Sequence, residues 1–116
     1  MDRTILILDK SGTLFYIHQM KEEPRYEFSA EKNQQLIKER GVSFEDVVTA
    51  LGSGKLLDTI VHHNTSKYPK QEIYLLNLNG YVYLVPFVKK DKQTVFLKTI
   101  FPSRKLTKKY LNHGGV

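Results

Sequence analysis

The sequence predicts an α+β fold in which two N-terminal helices pack on an antiparallel sheet of about four strands, followed by a short C-terminal helix. Three observations lead to this prediction. The 116-residue chain is long enough for one self-supporting domain. Its helical patterns lie between residues 29 and 52 and again near the C-terminus. Between them, apolar runs alternate with turn signals, as is typical of sheet.

The N-terminal segment contains two β-prone runs around a Lys-Ser-Gly turn, which predict a β-hairpin. We assign residues 1–25 to an N-terminal extension, residues 26–111 to the folded domain and residues 112–116 to a tail. The domain opens with "YEF" at residues 26–28, a short candidate strand.

Two helices follow this strand. Ser29 is a candidate cap for a polar helix that buries little beyond Leu36 and Ile37, and Gly41 ends it. The next helix, in "SFEDVVTAL", opens with the capping-box pair Ser43 and Asp46. Its apolar residues recur at helical spacing, at Phe44, Val47, Val48 and Leu51.

The strongest strand signal is Asn79-Gly80 between two apolar runs, which predicts a hairpin with a type I′ turn. Pairing outward from the turn places Tyr74, Leu76, Tyr81, Tyr83 and Val85 on one face and Ile73, Leu75, Val82 and Leu84 on the other. Pro86 cannot donate a backbone hydrogen bond, so it predicts a sheet edge or a bulge.

The last strand, "TVFLKTIF", is expected to carry Phe96, Lys98 and Ile100 on one face. Ser103 then caps a short helix whose inner side holds Leu106 and Tyr110.

Charge is unevenly distributed along the chain. Residues 89–116 contain eight Lys or Arg and one acid, whereas residues 1–88 are nearly balanced, within a net charge of +6. This polarity is typical of nucleic-acid binding, although a membrane surface or an acidic protein could use it as well. The basic residues nearest the final helix are Lys98, Arg104, Lys105, Lys108 and Lys109.

These cations could hold a phosphate. Lys98, Arg104 and the N–H groups after Ser103 are candidates to converge on one phosphate and to stabilise the charge that forms when an RNA 2′-hydroxyl attacks its phosphodiester. The alternative is that Lys98 only keeps its ammonium in water at a sheet edge.

Candidates for acid–base chemistry are few. His62 and His63 lie in a polar loop and could transfer protons, although adjacent loop histidines are commonly inert. Neither has a neighbouring cluster of metal ligands, and the chain has no cysteine, so we expect no metal and no cofactor.

A set of aromatic residues and a glycine-rich stretch are better explained by structure than by ligand binding. Tyr68, Tyr74, Tyr81, Tyr83 and Phe87 could stack on bases, but most are expected in the core. The "LGSGK" stretch at residues 51–55 lacks the spacing and the closing Ser or Thr of a phosphate-binding loop and follows a helix, so we discount it.

The location of the protein follows from what the sequence lacks. No apolar run approaches the ~20 residues of a membrane span, and the first residues include an acid and no cleavage site for a leader. We therefore expect a cytoplasmic protein with no membrane partner.

Motifs at both ends of the domain resemble the BrnT family of bacterial toxins, small members of the RelE-like superfamily. The family's opening motif, approximately F-E-W-D-x-x-K, eight residues and G-[VIL]-S-F-E-[ED], corresponds to "YEFSAEK", eight residues and "GVSFEDV". Its closing motif corresponds to "SRKLTKKY" at residues 103–110. The chain departs from the family at Ser29, usually Asp, and at Arg40, often His. An arginine that many members carry shortly before the serine is missing, and Lys98 is the nearest basic candidate.

The resemblance implies a RelE-like fold and a metal-independent endoribonuclease toxin that cleaves mRNA and inhibits translation and growth. It also implies a cognate antitoxin, typically a ribbon-helix-helix protein. Operator DNA would be bound only by the complex of toxin and antitoxin. Our candidate catalytic residues are Lys98, Arg104, Lys105, Tyr110, His62 and His63. Our candidate RNA contacts are Lys32, Arg40, Lys70, Ser103, Lys108 and Lys109.

Two other functions remain open at this point. The weak acid–base set favours a non-catalytic RelE-like module that binds a partner protein or nucleic acid. Inhibition of a DNA-handling enzyme, which has precedent in the wider superfamily, is a third hypothesis.

Overall fold

A computed structural model describes residues 2–8, 14–20, 24–61, 66–67 and 71–111; for the first two ranges only the backbone is described. The elements in chain order are β1 (Asp2–Leu8), β2 (Leu14–Met20), β3 (Arg25–Glu27), α1 (Ala30–Arg40), α2 (Phe44–Gly52), β4 (Leu56–Val61), β5 (Gln71–Leu78), β6 (Tyr81–Lys89), β7 (Thr94–Leu97), β8 (Phe101–Pro102) and α3 (Arg104–Tyr110). Strands β1 and β2 pair antiparallel in a two-stranded sheet of their own.

The α+β class is confirmed, but the main sheet is larger than predicted and is mixed. Its six strands follow the order β3-β7-β6-β5-β4, with β8 also paired to β6. Strands β4 to β7 are antiparallel neighbours, whereas β3 pairs parallel to β7. The prediction of about four antiparallel strands was wrong in this detail because β3 joins the sheet edge and the last strand is split into β7 and β8.

The β5–β6 hairpin forms in the predicted register. Asn79 and Gly80 have φ angles of 56° and 85°, the two positive values that a type I′ turn requires. Leu78 therefore lies opposite Tyr81, and the pairing continues to Gln71 opposite Val88.

The split of the last strand lies beside Pro86. Leu84 lies opposite Phe101, whereas Phe87 lies opposite Leu97, so residues 85–86 of β6 face residues 98–100. One extra residue is thus accommodated as a bulge, next to the proline that has no N–H to donate. The sequence predicted either an edge or a bulge at Pro86; the structure has a bulge, and its extra residue belongs to the segment 98–100 that faces the proline.

This bulge corrects a prediction about faces. Ile100 is fully buried with Val95 and Leu97, on the side of the sheet that α1 and α2 cover. Lys98 is exposed, and its Nζ lies 5.8 Å from the ring centroid of Phe96. Because the extra residue shifts the alternation by one position, the expectation that Phe96, Lys98 and Ile100 share a face was wrong.

The sheet is covered on both faces, as the sequence predicted. On one side α1 and α2 pack against a cluster that includes Leu76, Val85 and Phe87. On the other side Leu106 and Tyr110 of α3 pack against a smaller cluster of Ile73, Leu75 and Val82. The residues on these two faces are divided as the hairpin register predicted.

A buried amide joins the two N-terminal helices. Asn33 accepts a hydrogen bond from the Phe44 backbone N–H through Oδ1 (2.7 Å) and donates to Glu45 Oε1 through Nδ2 (2.8 Å). The side chain of Asn33 is therefore buried, as is that of Leu36. Ile37 is 44% exposed, although we expected it to be buried with Leu36. The bond from Asn33 is the main reason why the pKa of Glu45 lies below its usual value.

The predicted caps form as well. Ser29 Oγ accepts from the Lys32 N–H, and Ser43 and Asp46 make the reciprocal capping box of α2. Gly41 ends α1 in the left-handed conformation, with its N–H bonded to the Ile37 carbonyl.

Candidate functional site

Helix α3 is attached to β6 through one buried hydroxyl. Thr107 Oγ1 accepts from the Val82 backbone N–H (2.9 Å) and donates to the Ser103 carbonyl (2.7 Å). The Ser103 N–H donates to the Val82 carbonyl (2.9 Å), and Ser103 Oγ caps the helix by accepting from the Leu106 N–H (3.1 Å). These bonds hold the first turn of α3, which carries Arg104 and Lys105, against β6.

The C-terminal basic cluster is exposed to solvent. Arg104 and Lys105 occupy the first turn of α3, and Lys108 and Lys109 occupy its last turn. Lys98 projects from the bulge. Within residues 24–61, 66–67 and 71–111, no carboxylate forms an ion pair with any of these five cations. We call these five residues the basic cluster.

Unpaired lysines and arginines are the groups with which proteins bind the phosphates of nucleic acids. Two of the described cations that do form ion pairs belong to β6 or its following turn: Lys89 pairs with Glu72, and Lys90 with Glu27 (Nζ to Oε1, 2.7 Å). The uneven charge noted in the sequence thus becomes a set of exposed cations, without ion-pair partners among the described residues, on α3 and in the bulge that precedes it.

The hydroxyl of Tyr110 points to a partner that the sequence did not indicate. It donates to Oδ2 of Asp58 on β4, at 3.2 Å. Tyr110 packs on the inner side of α3, as predicted, while Arg104 lies on the exposed side. Partial burial and the neighbouring Asp58 carboxylate raise the pKa of the Tyr110 hydroxyl.

Two physical consequences follow for Tyr110. A tyrosine with a raised pKa keeps its proton at neutral pH, so its hydroxyl can donate a hydrogen bond, but it is a weaker acid than a free tyrosine and does not act as a base while it is protonated. Its hydroxyl is also already engaged by Asp58. Asp58 could not have been found from the sequence, because it contacts Tyr110 across 52 residues and lies beyond a register shift in β4.

The predicted RNA contacts on α1 lie on the helix side of the sheet. Arg40 Nη1 donates to the Ile100 carbonyl at 2.6 Å, which brings its guanidinium to the bulge that carries Lys98. Lys32 lies two turns earlier on the same helix and is half-buried. The structure therefore joins Arg40 to the bulge but does not gather Lys32 with the cations of α3.

Three predicted site residues, His62, His63 and Lys70, lie outside the described residues, and their roles stay predictions. In the part of the chain that the structure describes, no group of three or more histidine, aspartate or glutamate side chains is arranged to hold a metal ion. No described helix is long and apolar enough to cross a membrane.

Comparison with known proteins does not assign a family to this chain. No model of a known protein family matches it, and no curated protein sequence matches it.

Proposed function

We propose that this chain is the toxin of a bacterial type II toxin–antitoxin system and acts as a metal-independent endoribonuclease on mRNA, thereby inhibiting translation and growth. The observation that carries the proposal is the basic cluster, whose five cations have no carboxylate partner among the described residues. The motifs "YEFSAEK", "GVSFEDV" and "SRKLTKKY" are the reason for assigning it to the BrnT family.

The fold supports this proposal in its coarse features. Two helices precede the antiparallel strands β4 to β7, and a short basic helix ends the domain. The parallel strand β3 and the division of the last strand are departures from the RelE-like arrangement that we expected.

In the proposed reaction, the 2′-oxygen of an RNA ribose attacks its own phosphodiester phosphorus. A 2′,3′-cyclic phosphate forms, and the 5′-oxygen of the next nucleotide leaves with a proton. Lys98, Arg104 and Lys105 would hold the phosphate and stabilise the negative charge that develops on its oxygens. Ser103, Lys108 and Lys109 would contact neighbouring parts of the RNA backbone.

The proton transfers divide between different groups. Tyr110 would protonate the leaving 5′-oxygen, provided that its hydroxyl exchanges Asp58 for the substrate; release from the Asp58 carboxylate would also remove one cause of its raised pKa, which makes the phenol a weaker acid. A loop histidine, His62 or His63, would remove the proton from the 2′-hydroxyl.

The engagement of Tyr110 by Asp58 favours a second candidate function. Around α3, the described residues offer this phenol and this carboxylate but no imidazole. A domain with the same basic cluster and no competent base would bind RNA or a partner protein without cutting. Binding without cleavage is therefore the alternative that the experiment must separate from the toxin.

A cognate antitoxin, of the ribbon-helix-helix type, is the proposed protein partner, and operator DNA would be bound only by the complex. Two surfaces are candidates for covering by the antitoxin: the basic cluster itself, or the exposed acids Glu45 and Asp46 at the start of α2.

The proposal is tested by inducing expression of the wild-type chain, Arg104→Ala and the control Lys38→Ala in bacteria, and following growth and total RNA. Both substitutions remove one exposed cation. We expect growth arrest and fragmented RNA with the wild type and Lys38→Ala. Arg104→Ala should cleave RNA roughly 100-fold more slowly, because a donor to the developing charge is lost.

Two results would contradict the proposal, the first its site and the second the toxin assignment itself. Equal toxicity of Arg104→Ala would remove Arg104 from the site. No arrest and intact RNA in all three strains, with the three proteins folded by circular dichroism, would favour the binding module.

A further inference from the structure

A pocket of about 490 Å³ lies on the helix side of the sheet, between α2 and the β5–β6 turn. The smaller core cluster, under α3, is on the opposite face. Charged, amide and aromatic side chains in the pocket wall include Arg40, Asp46, Lys55, Asn77, Tyr81 and Tyr83. None of the proposed catalytic residues lines this pocket.

Two cations line the pocket, and each is anchored by its surroundings. Arg40 donates one of its five N–H groups to the Ile100 carbonyl, which leaves the others available. The backbone of Lys55 is held on both sides, because its N–H donates to the Ala50 carbonyl and its carbonyl accepts from the Asn77 N–H, both at 3.0 Å. The ammonium of Lys55 has no partner as far as the described ranges extend.

One negative charge also lines the pocket. Asp46 is the one carboxylate among the described residues that line the pocket. Its Oδ2 accepts from the Ser43 N–H at 2.9 Å as part of the capping box of α2. The lining thus carries two cations, Arg40 and Lys55, against one carboxylate, and its net charge is positive.

Two tyrosine rings form the floor. Tyr81 and Tyr83 are half-buried, with ring centroids 5.8 Å apart and planes at 63°. Beside them, Asn77 Oδ1 accepts from the Gly80 N–H at 2.8 Å, so its amide nitrogen remains as a donor. Aromatic faces next to an amide donor are what nucleic-acid-binding proteins use to hold a base.

We propose that this pocket binds a nucleotide, with the base against Tyr81 or Tyr83 and the phosphate between Arg40 and Lys55. The volume lies within the range of ligand pockets in proteins, roughly 300–1,000 Å³. The nucleotide is either a free mononucleotide or one residue of a single-stranded RNA, and the second source rests on the function proposed above.

Strand β6 connects the pocket to the basic cluster. Tyr83 lies opposite Pro102, and the Ser103 N–H donates to the Val82 carbonyl, so α3 begins beside the tyrosines. Arg40 contacts the bulge that carries Lys98. An RNA strand passing around the Tyr81 end of β6 would reach the pocket on one face of the sheet and α3 on the other, so the pocket would select a nucleotide near the cleaved bond.

The binding test uses UMP, AMP and the hexaribonucleotides U6 and A6 as probes, at low salt. Backbone amide shifts in NMR locate each probe, and titration yields its dissociation constant. The variants are Lys55→Glu and Tyr81→Leu. The matched controls are Lys38→Glu, an exposed charge reversal outside the pocket, and Tyr81→Phe, which keeps the ring.

We expect the mononucleotides to shift the amides of Lys55, Asn77 and Tyr81. Lys55→Glu and Tyr81→Leu should each weaken binding by roughly tenfold or more, because a phosphate contact or a stacking surface is lost. Lys38→Glu and Tyr81→Phe should stay within about twofold of the wild type, since neither removes a group assigned to the pocket. The absence of shifts at these amides, or equal weakening by variants and controls, would overturn the proposal.

The hexamers separate this inference from the proposed function. Hexamer binding that is lost in Arg104→Ala but unchanged in Lys55→Glu would overturn the RNA source of the nucleotide and leave the toxin assignment standing. Hexamer binding lost in Lys55→Glu but unchanged in Arg104→Ala would support the pocket and contradict the site on α3. Mononucleotide binding without hexamer binding would assign the pocket to a free nucleotide.

Discussion

Removing the hydroxyl of Thr107 while keeping the shape of the side chain should weaken the attachment of α3 to the sheet. In Thr107→Val, the fully buried Val82 N–H loses its acceptor at 2.9 Å, because the methyl group that takes the place of Oγ1 cannot accept a hydrogen bond. A buried donor left without a partner costs about 1–3 kcal/mol of the free energy of unfolding. The equilibrium constant for unfolding should therefore rise roughly 5- to 150-fold.

The assay is urea denaturation of the wild type, Thr107→Val and the control Thr49→Val, which makes the same exchange on an exposed helical residue. The control should change the free energy of unfolding by less than about 0.5 kcal/mol. Hydrogen exchange provides a local measure, because the Val82 amide should exchange faster in Thr107→Val than in the wild type.

A consequence for RNA binding follows from the length of α3. With seven residues, this helix is too short to persist without its contacts to the sheet. If the basic cluster binds RNA as proposed, Thr107→Val should therefore weaken that binding as well. If Thr107→Val and Thr49→Val have the same stability and the same Val82 exchange rate, the hydroxyl does not hold α3 and the reasoning is refuted.

Two further predictions concern Asn33 and Tyr110. Asn33→Ala should lower the free energy of unfolding by about 1–3 kcal/mol at neutral pH, because the Phe44 N–H loses its acceptor, whereas exposed Gln34→Ala should change it little. The pKa of Glu45 is lowered in the folded state, so the stabilisation from its bond with Asn33 is present above the unfolded pKa and is lost as the pH falls through the folded pKa. The difference in free energy of unfolding between wild type and Asn33→Ala should therefore shrink from pH 7 to pH 3, and a constant difference would contradict this. Tyr110→Phe should slow RNA cleavage about 100-fold or more while leaving RNA affinity unchanged, as expected for a proton donor, and an equal cleavage rate would exclude that role.

The sequence predicted most of the local structure correctly because the relevant signals act over a few residues. Asn79-Gly80 selected the hairpin turn and so its register, and Ser43 with Asp46 predicted the capping box. Pro86 predicted the bulge because its missing N–H has the same effect in any sheet.

The sequence predicted the candidate site only in part. The basic residues of α3 could be identified from their charge and their spacing after Ser103. The sequence did not show that Lys98 and Ile100 lie on opposite faces of the sheet. One extra residue in the bulge reverses the alternation of faces for the residues that follow it.

The sequence by itself determined the α+β class, the two capped N-terminal helices, the central hairpin and the concentration of positive charge at the C-terminal end. Each depends on composition or on neighbours within one turn of chain. Only the tertiary structure decided that Tyr110 meets Asp58, 52 residues away, and that Arg40 meets the Ile100 carbonyl, 60 residues away. Such contacts depend on strand order and on shifts of register summed over several strands, which no local pattern encodes.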